Sequence, residues 1–253
     1  MNARDKNDRA AWLEGPTASC CAVATAVGRP WRLVLLGPPG VGKGTQAALL
    51  SQRLGACHLS TGDVFRAARD GSQAEPTPAM AEALAFMRRG HLVADETVWE
   101  IVRERITCLR CPGGFVLDGF PRTLAQAESL SLLLEEECIP LDAVVSYALP
   151  VAEMVSRLSG RRTCEKCRAI FHILTAPARE KDVCDHCGGR LYQREDDRPQ
   201  SIAVRLEDYE HSTAPLIRFY LDLGLLTPVM AAGSPEQVFA RAYAALEGQR
   251  NTG

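Results

Sequence analysis

The feature that most restricts the fold of this chain is a glycine-rich segment, Gly37 to Thr45, which follows the apolar run Leu33 to Leu36. Its glycines allow the backbone to turn closely around an anion, and Lys43 adds a positive charge for the outer phosphates of a nucleotide. Such a loop joins a buried strand to a helix, and Gln46 to Leu50 has the composition of that helix. The segment therefore predicts nucleotide binding, and a glycine-rich turn without a ligand is the alternative.

One position of this loop departs from its commonest form. The residue after Lys43 is Gly44, where a Ser or Thr usually supplies a hydroxyl to magnesium. The departure narrows the set of families to which the loop can belong.

Length and charge exclude several classes of protein. The chain has 253 residues and a hydrophobic fraction of 46%, enough for one large α/β domain with inserted subdomains. The chain has 29 Lys and Arg residues and 31 Asp and Glu residues, so its net charge of −2 favours neither nucleic acid nor an anionic membrane as a partner. No apolar run approaches the roughly 18 residues needed to cross a bilayer.

Residues 1–30 show the weakest sequence pattern of the chain, both for secondary structure and for targeting. Asp5, Asp8 and Glu14 argue against a transit peptide, which is poor in acidic residues. We interpret the segment as an extension without a fold of its own, and a secretory signal is the alternative. The acidic flank and the nucleotide-binding motif downstream favour the cytoplasm.

The ten cysteines include a spacing typical of zinc sites. Cys164 and Cys167 form one Cys-x2-Cys pair, and Cys184 and Cys187 form another. The spacing predicts a tetrahedral zinc site, since each pair can place two thiolates on one tight turn; two disulfides are the alternative. His172 and His186 are close in sequence but are interpreted as solvated neighbours. Cys108-x2-Cys111 is a similar pair without a partner pair, for which a redox or metal role is a further hypothesis.

Apolar patterns alternate between strand and helix along the chain. Strands are predicted at 33–36, 56–59, 114–118, 143–149 and 227–230. Helices are predicted after Lys43 to about Leu54, in patches over 64–92, and at 95–109, 124–137, 151–158, 201–223 and after Pro235. The alternation predicts a parallel sheet with helices on both faces and a ligand at the carboxyl ends of its strands.

Short polar patterns at predicted strand ends and helix starts suit phosphate binding. Thr61 begins a helix that carries Arg66 about one turn later, a plausible cradle for a monophosphate. Asp118 ends an apolar strand where a magnesium-bound water would lie, and Arg122 follows it within reach of a phosphate. Ordinary helix caps and surface ion pairs would explain any one of these patterns alone.

Together these motifs resemble the adenylate kinase family, in its bacterial form with a long, zinc-containing lid. The resemblance extends from about Trp31 to Leu246 and includes the loop, Ser60-Thr61-Gly62-Asp63, Asp118 to Thr123, Gly160-Arg161-Arg162 and the cysteine pairs. Gly44 after Lys43 is usual in that family, whereas Gly90-His91 replaces its Gly-Lys. The resemblance implies a P-loop α/β fold with an inserted helical monophosphate-binding subdomain and a lid. The expected division is 1–30 extension, 31–59 core, 60–92 monophosphate-binding insertion, 93–160 core, 161–197 lid, 198–248 core and 249–253 tail.

The resemblance also implies roles for individual residues. The expected ATP-binding residues are Gly40, Gly42, Lys43, Gly44, Thr45, Arg157 and Arg161. The expected AMP-binding residues are Thr61, Arg66, Val93, Gly119, Arg122, Gln126, Arg194 and Arg205, with Gln126 reading the adenine. The expected catalytic set is Lys43, Asp118, Arg122, Arg161, Arg194 and Arg205. Asp196 and Asp197 would organise the lid, and Cys164, Cys167, Cys184 and Cys187 would bind zinc.

The implied reaction is magnesium-dependent phosphoryl transfer from ATP to AMP, giving two ADP, in a cytoplasmic monomer without nucleic-acid or membrane partners. Because the AMP phosphate is already an anionic nucleophile, catalysis requires alignment and charge neutralisation rather than a general base. A pyrimidine-monophosphate kinase on the same scaffold is one alternative, and GTP as the donor is a smaller variation. A nucleotide-binding module without activity, which contacts a macromolecule through its zinc segment, is an alternative of another class.

Overall fold

A computed structural model describes residues 29–70, 78–89, 91–104 and 106–252 of the chain. Almost all of the predicted N-terminal extension, and with it Cys20 and Cys21, lies outside the described residues. Strands and helices alternate as the sequence predicts. Their order is β1 (Trp31–Leu36), α1 (Lys43–Leu54), β2 (Cys57–Ser60), α2 (Thr61–Asp70), α3 (Pro78–Arg89), α4 (Asp95–Glu104), α5 (Ile106–Leu109), β3 (Gly114–Asp118), α6 (Leu124–Glu136), β4 (Ala143–Ala148), α7 (Val151–Ser159), β5 (Arg161–Cys164), β6 (Ile170–His172), β7 (Leu191–Tyr192), α8 (Pro199–Asp208), α9 (Pro215–Asp222), β8 (Leu226–Met230) and α10 (Pro235–Thr252).

Within the described residues, five strands form a parallel sheet in the order β2–β3–β1–β4–β8. Asp118 at the end of β3 is level with Leu35 on one side and Ser60 on the other. The carboxyl ends of β1, β2 and β3 therefore meet at one edge of the sheet, as the parallel arrangement requires. This register places the glycine-rich loop after β1, the start of α2 after β2 and Asp118 next to one another.

Both faces of the sheet are buried, which confirms the predicted layers. Alternate residues of β1 enter opposite cores, because successive side chains of a strand point to opposite faces. Leu33 and Leu35 pack with Leu50 of α1 and Leu246 of α10. Val34 and Leu36 belong to the other core, with side chains of α6 and α9. The strand runs are consequently apolar throughout rather than alternating.

The helix predicted over 201–223 is interrupted in the structure. Helix α8 ends at Asp208, and 209–213 form a wider turn in which the Ala214 N–H donates to the Tyr209 carbonyl at 2.8 Å, five residues back. Pro215 has no N–H to continue the regular pattern, so α9 begins there with a new first turn. The Thr213 hydroxyl in this turn donates to the carbonyl of Arg122 at 2.9 Å, which links the turn to the candidate site.

Residues 161–197 form a separate small unit at the end of α7. Its strands pair antiparallel in the order β6–β5–β7, and Cys164, Phe171, Cys184 and Leu191 make a small core of their own. Helices α2 and α3 lie within the range 60–92 that was predicted to be helical. The segment predicted as a tail, 249–253, is helical up to Thr252, because it belongs to α10. The guanidinium of Arg250 lies 4.2 Å from the ring centre of Trp31, a cation–π contact between α10 and β1. No helix in the described part of the chain is long and apolar enough to cross a membrane.

Candidate active site

The glycine-rich loop has the backbone shape that its sequence predicts. Gly40 has a φ of +86°, and a Cβ there would lie 2.7 Å from the carbonyl oxygen of Met154, so only glycine fits. Gly42, also with a positive φ, caps the start of α1. The Lys43 ammonium donates to the carbonyls of Gly37 at 2.5 Å and Pro38 at 3.0 Å, which folds its side chain back over the loop. Gly44 and Thr45 then form the first turn of α1, and the N–H groups at a helix N-terminus favour binding of an anion.

Burial lowers the pKa of Lys43 to about 7. This value already includes the charge of Asp118, which raises the pKa, and the smaller effects of the charges of Arg122, Arg205 and Arg161, which lower it. The neighbouring arginines thus lie within electrostatic reach of the loop. In the absence of phosphate, this ammonium is held in surroundings that disfavour its charge.

Asp118 faces the loop from the neighbouring strand. A Cβ at Gly44 would lie 3.4 Å from its Oδ2, so the glycine keeps the carboxylate close to the phosphate-binding turn. Burial raises the pKa of Asp118, but a hydrogen bond and charge from His58, together with the charge of Lys43, bring it below its usual range. His58 Nε2 lies 3.6 Å from Asp118 Oδ2, a contact that the sequence analysis did not anticipate.

A partly open pocket lies between α2, α4 and α6. Five of the expected AMP-binding residues line it: Thr61, Val93, Gly119, Arg122 and Gln126. Phe65, Met87 and Leu92 give it apolar walls. Of the other three, Arg194 and Arg205 lie outside the lining of this pocket, and the side chain of Arg66 lies outside the described residues, although its backbone belongs to α2. The pocket thus combines apolar surface with a cation and an amide.

Arg122 and Thr61 meet at Gly119, which begins the turn after β3. Arg122 Nε donates to the Gly119 carbonyl at 2.8 Å, and the Thr61 hydroxyl donates to the same oxygen at 3.0 Å. A Cβ at Gly119 would lie 3.0 Å from Arg122 Nη2 and 3.1 Å from Thr61 Oγ1. Glycine at this position therefore allows a cation and a hydroxyl from different elements to share one side of the pocket.

Asp95 fixes the amide of Gln126. Gln126 Nε2 donates to Asp95 Oδ1 at 2.6 Å, and Thr123 Oγ1 donates to Asp95 Oδ2 at 2.7 Å. Gln126 Oε1 accepts from the backbone N–H of Arg122 at 2.7 Å. In the sequence Asp95 is recognisable only as the start of a helix, because its contact with Gln126 spans 31 residues.

Three arginines surround two aspartates beside the loop. Arg161 binds Asp197 with both ends of its guanidinium, at 2.7 and 2.5 Å, and Arg194 binds Asp196 in the same way at 3.0 and 2.9 Å. Arg205 contacts both carboxylates at 3.1 Å. Asp197 has no exposed surface, so its charge depends on these partners.

This arginine–aspartate cluster, Arg161, Arg194, Arg205, Asp196 and Asp197, has one positive charge in excess. Burial raises the pKa of Asp196, but the charges of the three arginines outweigh it and hold the pKa far below its usual range. Burial and the charge of Arg194 lower the pKa of Arg161 to about 10, which still leaves it charged at neutral pH. The paired carboxylates keep the cations together, and the excess charge favours an anion.

Arg157 of α7 contacts the glycine-rich loop. Its guanidinium donates to the carbonyl of Ala231 at 3.0 Å and approaches that of Val41 at 3.5 Å. Glu153, one turn earlier on α7, is 3.8 Å away. The planar side chain is thus held at the tip of the glycine-rich loop.

The four predicted zinc ligands form one cluster. The sulfurs of Cys164, Cys167, Cys184 and Cys187 all lie within 4.8 Å of one another, and two of the pairs are 3.5 Å apart. Sulfurs bound tetrahedrally to zinc at about 2.3 Å would be separated by about 3.8 Å, so the cluster has the size and the donor type that zinc requires. A Cβ at Gly189 would approach Cys164 Sγ to 2.9 Å, which makes a side chain there incompatible with the cluster.

The remaining cysteines and histidines have other surroundings. His172 Nδ1 accepts from the N–H groups of Leu174 and Thr175, so its proton lies on Nε2, which donates to the Ser156 carbonyl at 3.2 Å. The interpretation of His172 as a solvated neighbour was therefore incomplete, since it fastens the unit 161–197 to α7. His186 is exposed, as predicted. Cys111 lies 2.9 Å from Cys57 in the buried core, and among the described residues the only cluster of potential metal ligands is the one at Cys164.

Comparisons with known proteins agree with this arrangement. A family model described as adenylate kinase matches residues 35–225. An adenylate kinase of Carboxydothermus hydrogenoformans is 45% identical over 216 residues, which cover 85% of this chain and 99% of that protein. One of Citrifermentans bemidjiense is 48% identical over 214 residues, covering 85% and 98%, and one of Archaeoglobus fulgidus is 44% identical over 215 residues, covering 85% and 97%. The matched region contains the loop, the pocket, the arginine–aspartate cluster and all four clustered cysteines.

Proposed function

Since the chain belongs to the adenylate kinase family, we propose that it transfers the terminal phosphoryl group of ATP to AMP, giving two ADP. The supporting observation is that two regions suited to phosphates share one set of cations. The loop with Lys43 is one region, and the pocket with Arg122 is the other. The charges of Arg122, Arg205 and Arg161 all lower the pKa of Lys43, so these cations lie within electrostatic reach of the loop, and Arg122 also lines the pocket.

ATP would bind with its phosphates on the loop and its base beside Arg157. AMP would occupy the pocket, with its phosphate at Thr61, Arg66 and Arg122 and its base at Gln126. The AMP phosphate is the nucleophile, so no side chain has to remove a proton. The chain contributes alignment of the two nucleotides and neutralisation of the charge repulsion between their phosphates.

The arginines of the cluster suit this task because each offers a planar set of donors that stays charged. Arg161, Arg194 and Arg205 would surround the phosphoryl group in transfer, while Asp196 and Asp197 hold them in place. Magnesium bound with ATP supplies further neutralisation of phosphate charge, and Asp118 would accept a hydrogen bond from its hydration shell. The position of Asp118 beside Gly44, with its low pKa, supports this role.

We assign residues 60–92 to AMP binding and 161–197 to a lid that excludes water, since water would otherwise accept the phosphoryl group. The two units contact each other in this structure, as expected of a closed lid. Arg88 at the end of α3 lies 3.4 Å from Glu195, next to the cluster. The cysteine cluster would bind zinc as a structural ion, because the lid core of Cys164, Phe171, Cys184 and Leu191 is too small to fold alone.

The working form would be a monomer in the cytoplasm that maintains the balance of adenine nucleotides, without nucleic-acid or membrane partners. The net charge of −2 supports the absence of nucleic-acid and membrane partners, because it provides no general attraction to polyanions. A single species of the mass of one chain by light scattering is expected, in the presence and absence of nucleotides.

Initial rates with AMP, CMP, UMP and GMP as acceptors of phosphate from magnesium ATP test the reaction. AMP is expected to give the highest kcat/KM, with two ADP formed for each AMP consumed. Preference for CMP or UMP would instead identify a pyrimidine-monophosphate kinase. Absence of ADP formation with every acceptor would leave a nucleotide-binding module, and replacing ATP by GTP in the same assay measures the choice of donor.

Binding of ATP near pH 8 is expected to take up a proton. Lys43 has a pKa of about 7 in the free protein, so at pH 8 it is mostly neutral. Phosphates favour its charged form and raise its pKa, so binding draws a proton from the buffer; below pH 7 the group is already charged and the uptake disappears. Calorimetric titrations in buffers with different ionisation enthalpies measure the number of protons, which should approach one at pH 8.

Lys43→Arg provides the control for this measurement, because a guanidinium keeps its charge across this pH range. The variant is expected to bind ATP without the pH 8 uptake. Equal uptake by the variant and the natural chain would assign the proton to another group.

A further inference from the structure

We propose that Asp95 is a positioning residue that selects the base of the acceptor nucleotide. It does so by fixing the orientation of the Gln126 amide, and with it the end of the amide that faces the base. The proposal rests on the proposed function, because it concerns the base of the acceptor nucleotide. Its starting point is the arrangement around Gln126, a side chain that is only 4% exposed and lines the acceptor pocket.

The partners of Gln126 determine the orientation of its amide chemically. The Asp95 carboxylate can only accept a hydrogen bond, so the group 2.6 Å from its Oδ1 must be the amide nitrogen. The backbone N–H of Arg122 can only donate, so the group 2.7 Å from it must be the amide oxygen. A rotation by half a turn would set oxygen against the carboxylate and N–H against N–H. Two opposite partners therefore hold the amide in one orientation.

Asp95 is itself held in position. Its second oxygen, Oδ2, accepts from the hydroxyl of Thr123 at 2.7 Å, and the same hydroxyl accepts from the backbone N–H of Gln126 at 3.2 Å. Thr123 caps the start of α6, while Asp95 begins α4. The carboxylate thus joins the N-terminal ends of α4 and α6. Because it is held there, it cannot move away to accommodate a rotated Gln126 amide.

After these bonds, the Gln126 amide keeps one N–H and one lone pair for a ligand. Adenine presents an acceptor at N1 beside an amino donor at position 6. A 6-oxopurine presents the reverse, a donor at N1 beside an acceptor at position 6. An amide of fixed orientation can match only one of these edges from a given base position, and the wrong purine leaves buried groups unpaired. Asp95 is therefore expected to favour a 6-aminopurine over a 6-oxopurine.

The test compares kcat/KM for AMP with kcat/KM for IMP, which differs in this edge and lacks the further amino group of GMP. In Asp95→Asn, the new side-chain amide can donate a hydrogen bond to the oxygen of a rotated Gln126. Only the backbone N–H of Arg122 then opposes the rotation. The AMP-to-IMP ratio is expected to fall about tenfold or more, the effect of one buried hydrogen bond to a charged group. The Arg122 N–H remains, so some preference for AMP should persist.

Glu96→Gln is the matched control, since Glu96 occupies the same first turn of α4, carries the same charge and is exposed. Its ratio should equal that of the natural chain. The ratio does not depend on the fraction of folded enzyme, and melting curves of both variants record any loss of stability. If Asp95→Asn is insoluble, Thr123→Val removes the hydroxyl that orients Asp95, and a smaller fall in the same ratio is expected.

An AMP-to-IMP ratio within twofold of the natural value, in whichever variant is soluble, would overturn the role of Asp95 while the proposed reaction stands. Failure of the natural chain to form ADP from ATP and AMP would overturn the proposed function, and base selection with it. A lower ratio in Glu96→Gln as well would assign the effect to the charge of the helix terminus instead of Asp95.

Discussion

Replacing Arg122 with alanine is expected to lower kcat/KM for AMP by about a thousandfold or more, the usual contribution of an arginine that stabilises a transferring phosphoryl group. The guanidinium lines the acceptor pocket and is close enough to lower the pKa of Lys43 on the other side of the reaction. Its removal eliminates a cation from the region where both nucleotides place negative charge. A coupled assay of ADP formation measures the loss.

Two further variants make this prediction specific. Arg122→Lys keeps the charge without the planar set of donors, so it should recover only part of the rate. Arg218→Ala removes an exposed arginine paired with Asp222 on α9, and its rate should be unchanged. A rate for Arg122→Ala within tenfold of the natural value would remove Arg122 from the proposed mechanism.

Arg122→Ala also has an expected effect that does not depend on catalysis. The charge of Arg122 lowers the pKa of Lys43, so its loss should raise that pKa. More Lys43 would then be charged before ATP binds at pH 8, and the proton uptake on binding should decrease. A reduced rate with unchanged uptake would separate the catalytic role of Arg122 from its electrostatic contact with Lys43.

The parts of the fold that the sequence predicted are those encoded by local patterns. The apolar run Leu33 to Leu36 with the glycines after it predicts a strand, a turn and a helix within a few residues. The cysteine pairs predict a common site because each pair occupies its own turn. The same locality explains the error over 201–223, where apolar periodicity predicted one helix. Pro215 was the available signal for the break.

The parts that were missed depend on contacts between distant segments. Asp95 and Gln126 are 31 residues apart, and nothing around Asp95 distinguishes it from an ordinary acidic helix start. His58 reads as a strand residue until the sheet register places it beside β3, near Asp118. Thr213 reaches the carbonyl of Arg122 only because the chain makes a wide turn there. Each of these residues contacts an expected site residue. Sequence motifs therefore predicted the residues proposed to bind phosphate but not the residues that hold them in position.

Removal of the proposed zinc ion is expected to produce the largest loss of stability. Few apolar side chains fill the core of 161–197, and two of the four clustered cysteines, Cys164 and Cys184, belong to that core. Binding of a structural zinc ion stabilises such small units by more than their apolar burial does. Chelation of the metal, or Cys164→Ser, should therefore lower the melting temperature by about 10 °C or more in calorimetry. Metal content measured on the same samples confirms the removal.

Some activity should remain below the melting temperature of the zinc-free protein. Arg161 and Arg194 lie at the two ends of the lid and are held by Asp197 and Asp196 rather than by the sulfur cluster. Arg205 of α8, outside this unit, contacts both aspartates, so the link between the arginine–aspartate cluster and the core does not require zinc once residues 161–197 are folded. Residual ADP formation at low temperature, with a steep loss on warming, is the expected pattern.

A parallel experiment separates zinc from the alternative of two disulfides. Sulfur pairs at 3.5 Å, Cys164 with Cys187 and Cys167 with Cys184, would also be candidates for oxidation. A zinc site is destabilised by a chelator in the presence of reductant, whereas disulfides are destabilised by reductant alone. Cys138→Ser, at an exposed thiol outside the cluster, should melt like the natural chain in both conditions. An unchanged melting temperature after verified loss of metal would refute the structural role, because the lid would then be stable through its few buried side chains alone.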